Sequence, residues 1–159
     1  PDGWSLTPLQ DSNWRIRYEL ALRTIPEKVK QFEPLSEKKF QMPFLLRAFG
    51  KLFETMGGAK NTRFVLRAPN GKTAGTAFRT VRTRPGGVNY AGFILDPEYS
   101  EIASPFIQHV FAEIQRISPA RRIEITLNDW QIPLIKAVEE LGCTKRVSAY
   151  RMGLLLPEN

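Results

Sequence analysis

Two runs of alternating apolar residues, with a helix-period stripe between them, constrain the fold more than any other feature of this chain. Val88 to Leu95 alternates with period two, Phe106, Ile107, Val110, Phe111 and Ile114 recur at helical spacing, and Ile123, Ile125 and Leu127 alternate again. A strand, a helix and a strand in that order need a crossover, so the two strands are expected to lie parallel and adjacent with the helix packed on one face. Asp96-Pro97 stops the first strand. Ser104-Pro105 is expected to open the helix, with serine as N-cap and proline at the first helical position, where its missing donor costs nothing.

The segments on either side follow from similar signals. Arg63 to Arg67 and Thr73 to Arg82 alternate around Pro69-Asn70-Gly71-Lys72 and predict a hairpin, with Asn70-Gly71 expected in a type I′ turn. A third antiparallel strand follows the turn at Pro85-Gly86-Gly87. Beyond Leu127, Pro133 near a helix start, Leu134, Ile135, Val138 and Leu141 on one face, and Gly142 just past the end predict another helix. Val147 to Leu156 is read as one or two closing strands. The first sixty residues change character: a short strand at Trp4 to Leu6, then a helix capped by Asp11 or Ser12, carrying Trp14, Tyr18, Leu20 and Ala21 to a break at Pro26. A second helix is expected from Ser36 through Phe40, Phe44, Ala48, Leu52 and Met56 to Gly57-Gly58, kinked or divided at Pro43.

The expected fold class is therefore α/β (α+β): a single mixed, mostly antiparallel central sheet flanked by helices, with one parallel pair. At 159 residues one domain over 1–159 is expected. The chain opens on Pro1, which fits either removal of an initiator or one domain of a longer protein. No apolar run approaches the roughly eighteen residues of a membrane span, no leader pattern is visible, and Cys143 is the only cysteine, so a cytoplasmic protein without disulfide or metal site is expected. The net charge of +7 favours anionic partners, but the basic residues run from Arg15 to Arg151 rather than forming one stripe, so nucleic acid is not the expected partner.

With Gly92-Phe93-Ile94-Leu95-Asp96-Pro97-Glu98-Tyr99, the later Asn128, Glu139-Glu140-Leu141-Gly142-Cys143 and Tyr150-Arg151-Met152, this element order resembles the GNAT superfamily of N-acetyltransferases over about two thirds of the chain. The resemblance implies transfer of an acetyl group from acetyl-CoA, or another acyl-CoA as cosubstrate, to an amine-bearing small molecule or peptide by direct attack in a ternary complex. It implies that Phe93, Ile94 and Leu95 hold the thioester arm, that Ser100, Ile102, Ala103 and Ser104 receive the pyrophosphate at a helix N-terminus, and that Asn128 helps to orient CoA. A second GNAT-like domain or a homodimer is a possible partner.

The chain departs from the family pattern at two points. The loop Glu98-Tyr99-Ser100-Glu101-Ile102-Ala103 has no glycine to bring backbone close to a phosphate, and it carries two acids. Val138 stands where many members carry a tyrosine that protonates the departing thiolate. Asn128 and Tyr90 are the candidate catalytic groups by location. These departures motivate the alternative of a catalytically degenerate GNAT-like binding or regulatory domain.

The remaining polar and aromatic residues are read structurally. Arg79, Arg82 and Arg84 are expected on a solvated strand face, His109 at the surface, Cys143 as a small hydrophobe, and Phe40, Phe44, Phe49 and Phe53 in the core. Nothing in the spacing of Glu19, Glu33 and Glu54 marks a base.

Overall fold

In a computed structural model, which describes residues 2–41, 58–83, 86–118 and 122–149, the elements run β1 (Ser5–Pro8), α1 (Trp14–Thr24), α2 (Glu27–Phe32), α3 (Glu37–Phe40), β2 (Ala59–Arg67), β3 (Thr73–Arg82), β4 (Val88–Leu95), α4 (Ala103–Ile117), β5 (Arg122–Thr126) and α5 (Ile132–Glu140). The five strands form one sheet in sequence order, antiparallel from β1 to β4 and parallel between β4 and β5. The expected mixed sheet with a single parallel pair is what the chain forms. β4 has the bounds expected from its alternation, and the crossover through α4 makes its pair with β5 parallel.

Alternation divides the strands between two faces. Phe64, Leu66, Ala77, Val81, Ala91, Phe93 and Leu95 are buried together with Phe106, Ile107, Val110 and Ile114 of α4 and with Leu134, Ala137 and Val138 of α5. The opposite face receives α1, which packs against β3 and β4 and buries Leu20, Ala21 and Thr24.

Arg79 corrects the expectation of a solvated arginine face. It is buried on the α4 side, 3.4 Å from Glu113, with its guanidinium 5.0 Å from the Phe64 ring centroid. Position parity decides this, because Arg79 lies on the same face as Ala77 and Val81. Arg82, three residues on, falls on the other face, and Arg84 lies outside the described residues. Arg116 also pairs with Glu113, at 3.1 Å. Hydrogen bonding from Arg116, then the charges of Arg116 and Arg79, hold the Glu113 carboxyl below the ordinary carboxylate range, while its burial acts the other way. A carboxyl whose folded pKa is depressed stabilises the fold above its unfolded value, about 4.3, and loses that contribution as pH falls through the folded value. Thermal melts between neutral and acidic pH are therefore expected to show a steeper loss below about pH 4.3 in the parent than in Glu113→Gln; equal acid slopes would show that the pair contributes nothing.

Several local expectations change. Neither Asp11 nor Ser12 caps α1: a 3-10 turn at Asp11–Asn13 leads into it, the Asp11 carboxylate accepts from Arg63, and the Ser12 hydroxyl donates to Gln10. An ion pair to β2 outcompetes a local cap because it also ties the helix start to the sheet. The chain does break before Pro26, but Pro26 then starts the short α2, with fixed φ suited to a helix entry. The helix beginning after Ser36 closes at Phe40, with Gln41 extended, as a proline two residues further on favours. Residues 42–57, including Pro43, Phe44, Ala48, Phe49, Leu52, Phe53, Glu54 and Met56, lie outside the described residues.

β2 begins at Ala59 rather than near Thr62. The β2–β3 turn is not type I′, because among the described residues only glycines have positive φ, and Asn70 is therefore not in that region. Instead the Gly71 amide donates to Ala68 across Pro69-Asn70, and Gly71 itself takes φ +78°, which gives a type I turn followed by a glycine bulge. Proline at the first central position selects this form, since its φ is locked negative. Residues 147–149 carry no strand, and the rest of the expected closing strands lies outside the described residues.

Candidate active site

β4 and β5 pair only from Val88↔Arg122 to Gly92↔Thr126. Beyond that pair the strands part, and β4 runs on through Phe93, Ile94 and Leu95 with its β5 side open. The direction of the amides there follows from the other edge: the Asp96 amide donates to Ala74 of β3 at 2.8 Å, so the amide of Leu95 faces the opposite way, into the opening. It does not stay free. The side-chain oxygen of Gln131, just ahead of α5, accepts it at 3.1 Å.

Gln131 is only 3% exposed, and its Nε2 has no hydrogen-bond partner among the described residues. A buried amide donor without an acceptor costs about 1–3 kcal/mol, so this atom is a ready donor at the head of the opening. Nothing in the sequence marked Gln131, because a polar residue ahead of an apolar helix reads as a cap for its own helix. The structure shows no such cap and sends the side chain across to β4. Asn128, the expected orienting residue, is exposed on the turn into α5, where its carbonyl accepts the Gln131 amide at 3.0 Å.

A cleft of about 390 Å³ lies between the start of α4 and the outer side of α5, lined by Ser100, Glu101, Ala103 and Ser104 on one side and by Ile132, Pro133, Lys136, Ala137 and Glu140 on the other. It brings together three of the four residues expected to receive pyrophosphate. The fourth, Ile102, is buried in the core. Phe93 and Leu95 also turn their side chains into the core, while Ile94, half-buried, faces the α1 side.

The local backbone corrects the expected helix start. Pro97–Ile102 is itself a 3-10 segment that runs directly into α4, so Ser104 is the second residue of the helix rather than its cap; its hydroxyl accepts from Gln108. Pro105 remains within the first turn of α4. The Ala103 amide donates to the Ser100 carbonyl and is therefore occupied. Upstream of it, Glu98 donates to the Asp96 carboxylate at 3.2 Å and Tyr99 to the Asp96 carbonyl at 2.9 Å. Asp96, also 3.2 Å from Arg23, thus caps the first turn of the 3-10 segment, which the non-helical backbone of Tyr99 (φ −117°, ψ 36°) separates from the turn that enters α4. The residues lining the cleft include the Lys136 ammonium and the carboxylates of Glu101 and Glu140.

Val138 is buried in the core, so α5 presents no hydroxyl at that position. Tyr90 lies on the opposite face of β4, 38% exposed. His109 is exposed, and the partly buried Cys143 packs against the core, where burial raises its thiol pKa and disfavours the thiolate. Among the described residues, no helix is long and apolar enough to cross a membrane.

Solved structures carry the same arrangement of strands and helices. The spermidine N-acetyltransferase of Vibrio cholerae, in its dodecameric form, superposes with a TM-score of 0.60 at 14% identity, over 92% of this chain and 82% of that one. The structure of that enzyme with CoA and spermine gives 0.57 at 14% identity, over 89% and 81%. An aminoglycoside 6′-N-acetyltransferase from Acinetobacter baumannii gives 0.51 at 15% identity, over 95% and 99%. No family model and no curated protein sequence matches the chain.

Proposed function

We propose, from the fold this chain shares with GNAT N-acetyltransferases, that it is an acyl-CoA-dependent N-acyltransferase, transferring an acetyl group to a primary amine by direct attack in a ternary complex. The observation that carries this reading is the opened β4–β5 pair with an unpartnered buried donor, Gln131 Nε2, at its head. An amide-rich arm such as pantetheine offers carbonyl acceptors for that donor. In this reading the thioester arm runs along Phe93 to Leu95 toward the cleft between α4 and α5, and acetyl-CoA supplies an activated acyl carbonyl. The chain's own part is to orient the arm, exclude water with the Phe93–Phe106 wall, and meet the phosphates with Lys136.

Isothermal titration with acetyl-CoA and CoA tests this. Micromolar binding is expected, and Lys136→Glu is expected to weaken it at least about tenfold, or ~1.4 kcal/mol, because reversal leaves three carboxylates around the cleft. Pantetheine, which lacks the diphosphate, should bind both proteins alike. Absence of heat and of a thermal shift at millimolar ligand would remove the acyltransferase reading.

A second reading, a binding or regulatory domain that keeps the architecture without catalysis, is favoured by one feature. Val138 is buried in the core and leaves α5 without a hydroxyl at that position. Tight acetyl-CoA binding with no thiol release on any amine would select it.

A further inference from the structure

The sheet face turned away from α4 carries a group of side chains that the donor cleft does not use. Phe78 of β3 stands opposite Gly92 of β4, and its ring lies across that glycine: a Cβ built on Gly92 would meet Phe78 Cε1 at 2.1 Å, Cζ at 2.7 Å and Cδ1 at 2.9 Å. Only a residue without a side chain lets the ring take this place. The ring is thereby displaced one strand toward the β4–β5 opening, which begins just past Gly92↔Thr126. Phe78 remains 46% exposed, with Tyr90 beside it on the same face.

Opposite Tyr90 on β5 is Glu124, whose carboxylate accepts from Arg122 at 2.6 Å and from Arg146 at 2.5 Å. Two guanidiniums share one carboxylate, so the cluster keeps a net positive charge and spare donors, and both arginines are more than half exposed. The α4 side of the opening is closed by the packed rings of Phe93, Phe106 and Phe111. A molecule reaching the opening from the side opposite the donor cleft therefore crosses Phe78 and Tyr90, with the arginines gathered at Glu124, two residues back along β5 from Thr126.

From this juxtaposition we infer that the face is the acceptor subsite and that the acceptor is an amine bearing both an apolar side group and a carboxylate, such as an aromatic amino acid. The side group lies on Phe78 and Tyr90, and the carboxylate takes the free donors of Arg122 and Arg146, as fits a charge-assisted pair. A polycationic amine meets like charge there. This rests on the acyltransferase reading for its chemistry: the ammonium gives a proton to solvent, the neutral amine attacks the thioester carbonyl, the C–N bond forms, the C–S bond breaks, the nitrogen gives up its second proton, and the leaving thiolate takes up one proton in its place.

Titration of the chain, without donor, with phenylalanine, phenethylamine and spermidine tests the inference. Phenylalanine is expected to bind tighter than either of the others. Phe78→Ala should weaken phenylalanine at least about tenfold, and Arg146→Ala should weaken phenylalanine while leaving phenethylamine unchanged, since that probe has no carboxylate. Thermal melts and a Phe78→Leu control separate loss of the ring from loss of the fold. Spermidine binding tighter than phenylalanine, no binding of any amine, or indifference to Phe78→Ala in a folded protein would overturn the assignment. If acetyl-CoA does not bind while phenylalanine binding depends on both residues, the acyl-transfer reading falls and the ligand assignment stands.

Discussion

Phe106→Ala is expected to destabilise the fold by about 3–5 kcal/mol, the range for truncating a buried aromatic residue. Phe106 is fully enclosed, meets Phe93 edge-on at a centroid distance of 5.4 Å, and fills the space left by Gly75, where a Cβ would sit 3.3 Å from its ring. The site is bounded by the backbone of β3 and β4 and by helix α4. None of these can move in without breaking the ladder, so the cavity should stay open. Urea unfolding should show a lower midpoint with an unchanged m value, and Phe106→Leu should recover more than half of the loss. A shift under ~1 kcal/mol would mean that the site collapses and that the α4–sheet contact is more plastic than its packing suggests. Because α4 begins three residues earlier and lines the cleft proposed for acetyl-CoA, the same variant should also weaken acetyl-CoA binding.

Asn89→Ala ranks second, at about 2–4 kcal/mol, because it strands polar partners rather than apolar ones. Asn89 is 0% exposed, and its carbonyl oxygen accepts from the Arg82 amide at 2.9 Å and lies 3.0 Å from the Ser118 hydroxyl. Ser118 also reaches the Arg82 carbonyl at 2.7 Å. One side chain thus joins the end of β3, the start of β4 and the residue after α4. Removing it leaves the half-buried Arg82 amide without this acceptor. Asn89→Leu, which restores volume without the oxygen, should remain about as destabilised; a Leu variant near parental stability would show that packing, not hydrogen bonding, is what this position supplies. Chemical denaturation of both variants decides between the two.

Much of the scaffold was legible because it rests on patterns that local chemistry enforces. β4 has the bounds its alternation implies, Gly142 takes φ +81° just past α5, and proline stands near the start of that helix as expected. The turn at Asn70-Gly71 was legible as a turn but not as a type, because Pro69, one residue earlier, overrides the dipeptide preference. The candidate site was less legible. Ser104-Pro105 looked like a helix start, and α4 begins one residue earlier, at Ala103, with Ser104 inside its first turn; the 3-10 segment ahead of it, capped by Asp96, had no visible signal beyond the strand stop.

What the sequence by itself determined is the order and kind of most elements, and through the strand–helix–strand crossover the single parallel pair. Periodicity and turn residues act within a few positions, so one chain suffices to express them. Only the tertiary structure decided which side chains meet across the sheet. Arg79 rather than Arg82 is buried against α4, Gln131 rather than Asn128 reaches the Leu95 amide, and Phe78 lies over Gly92. Each of these depends on how elements pack across the sheet, and for Arg79 and Phe78 on strand register, where a shift of one residue would exchange the two faces.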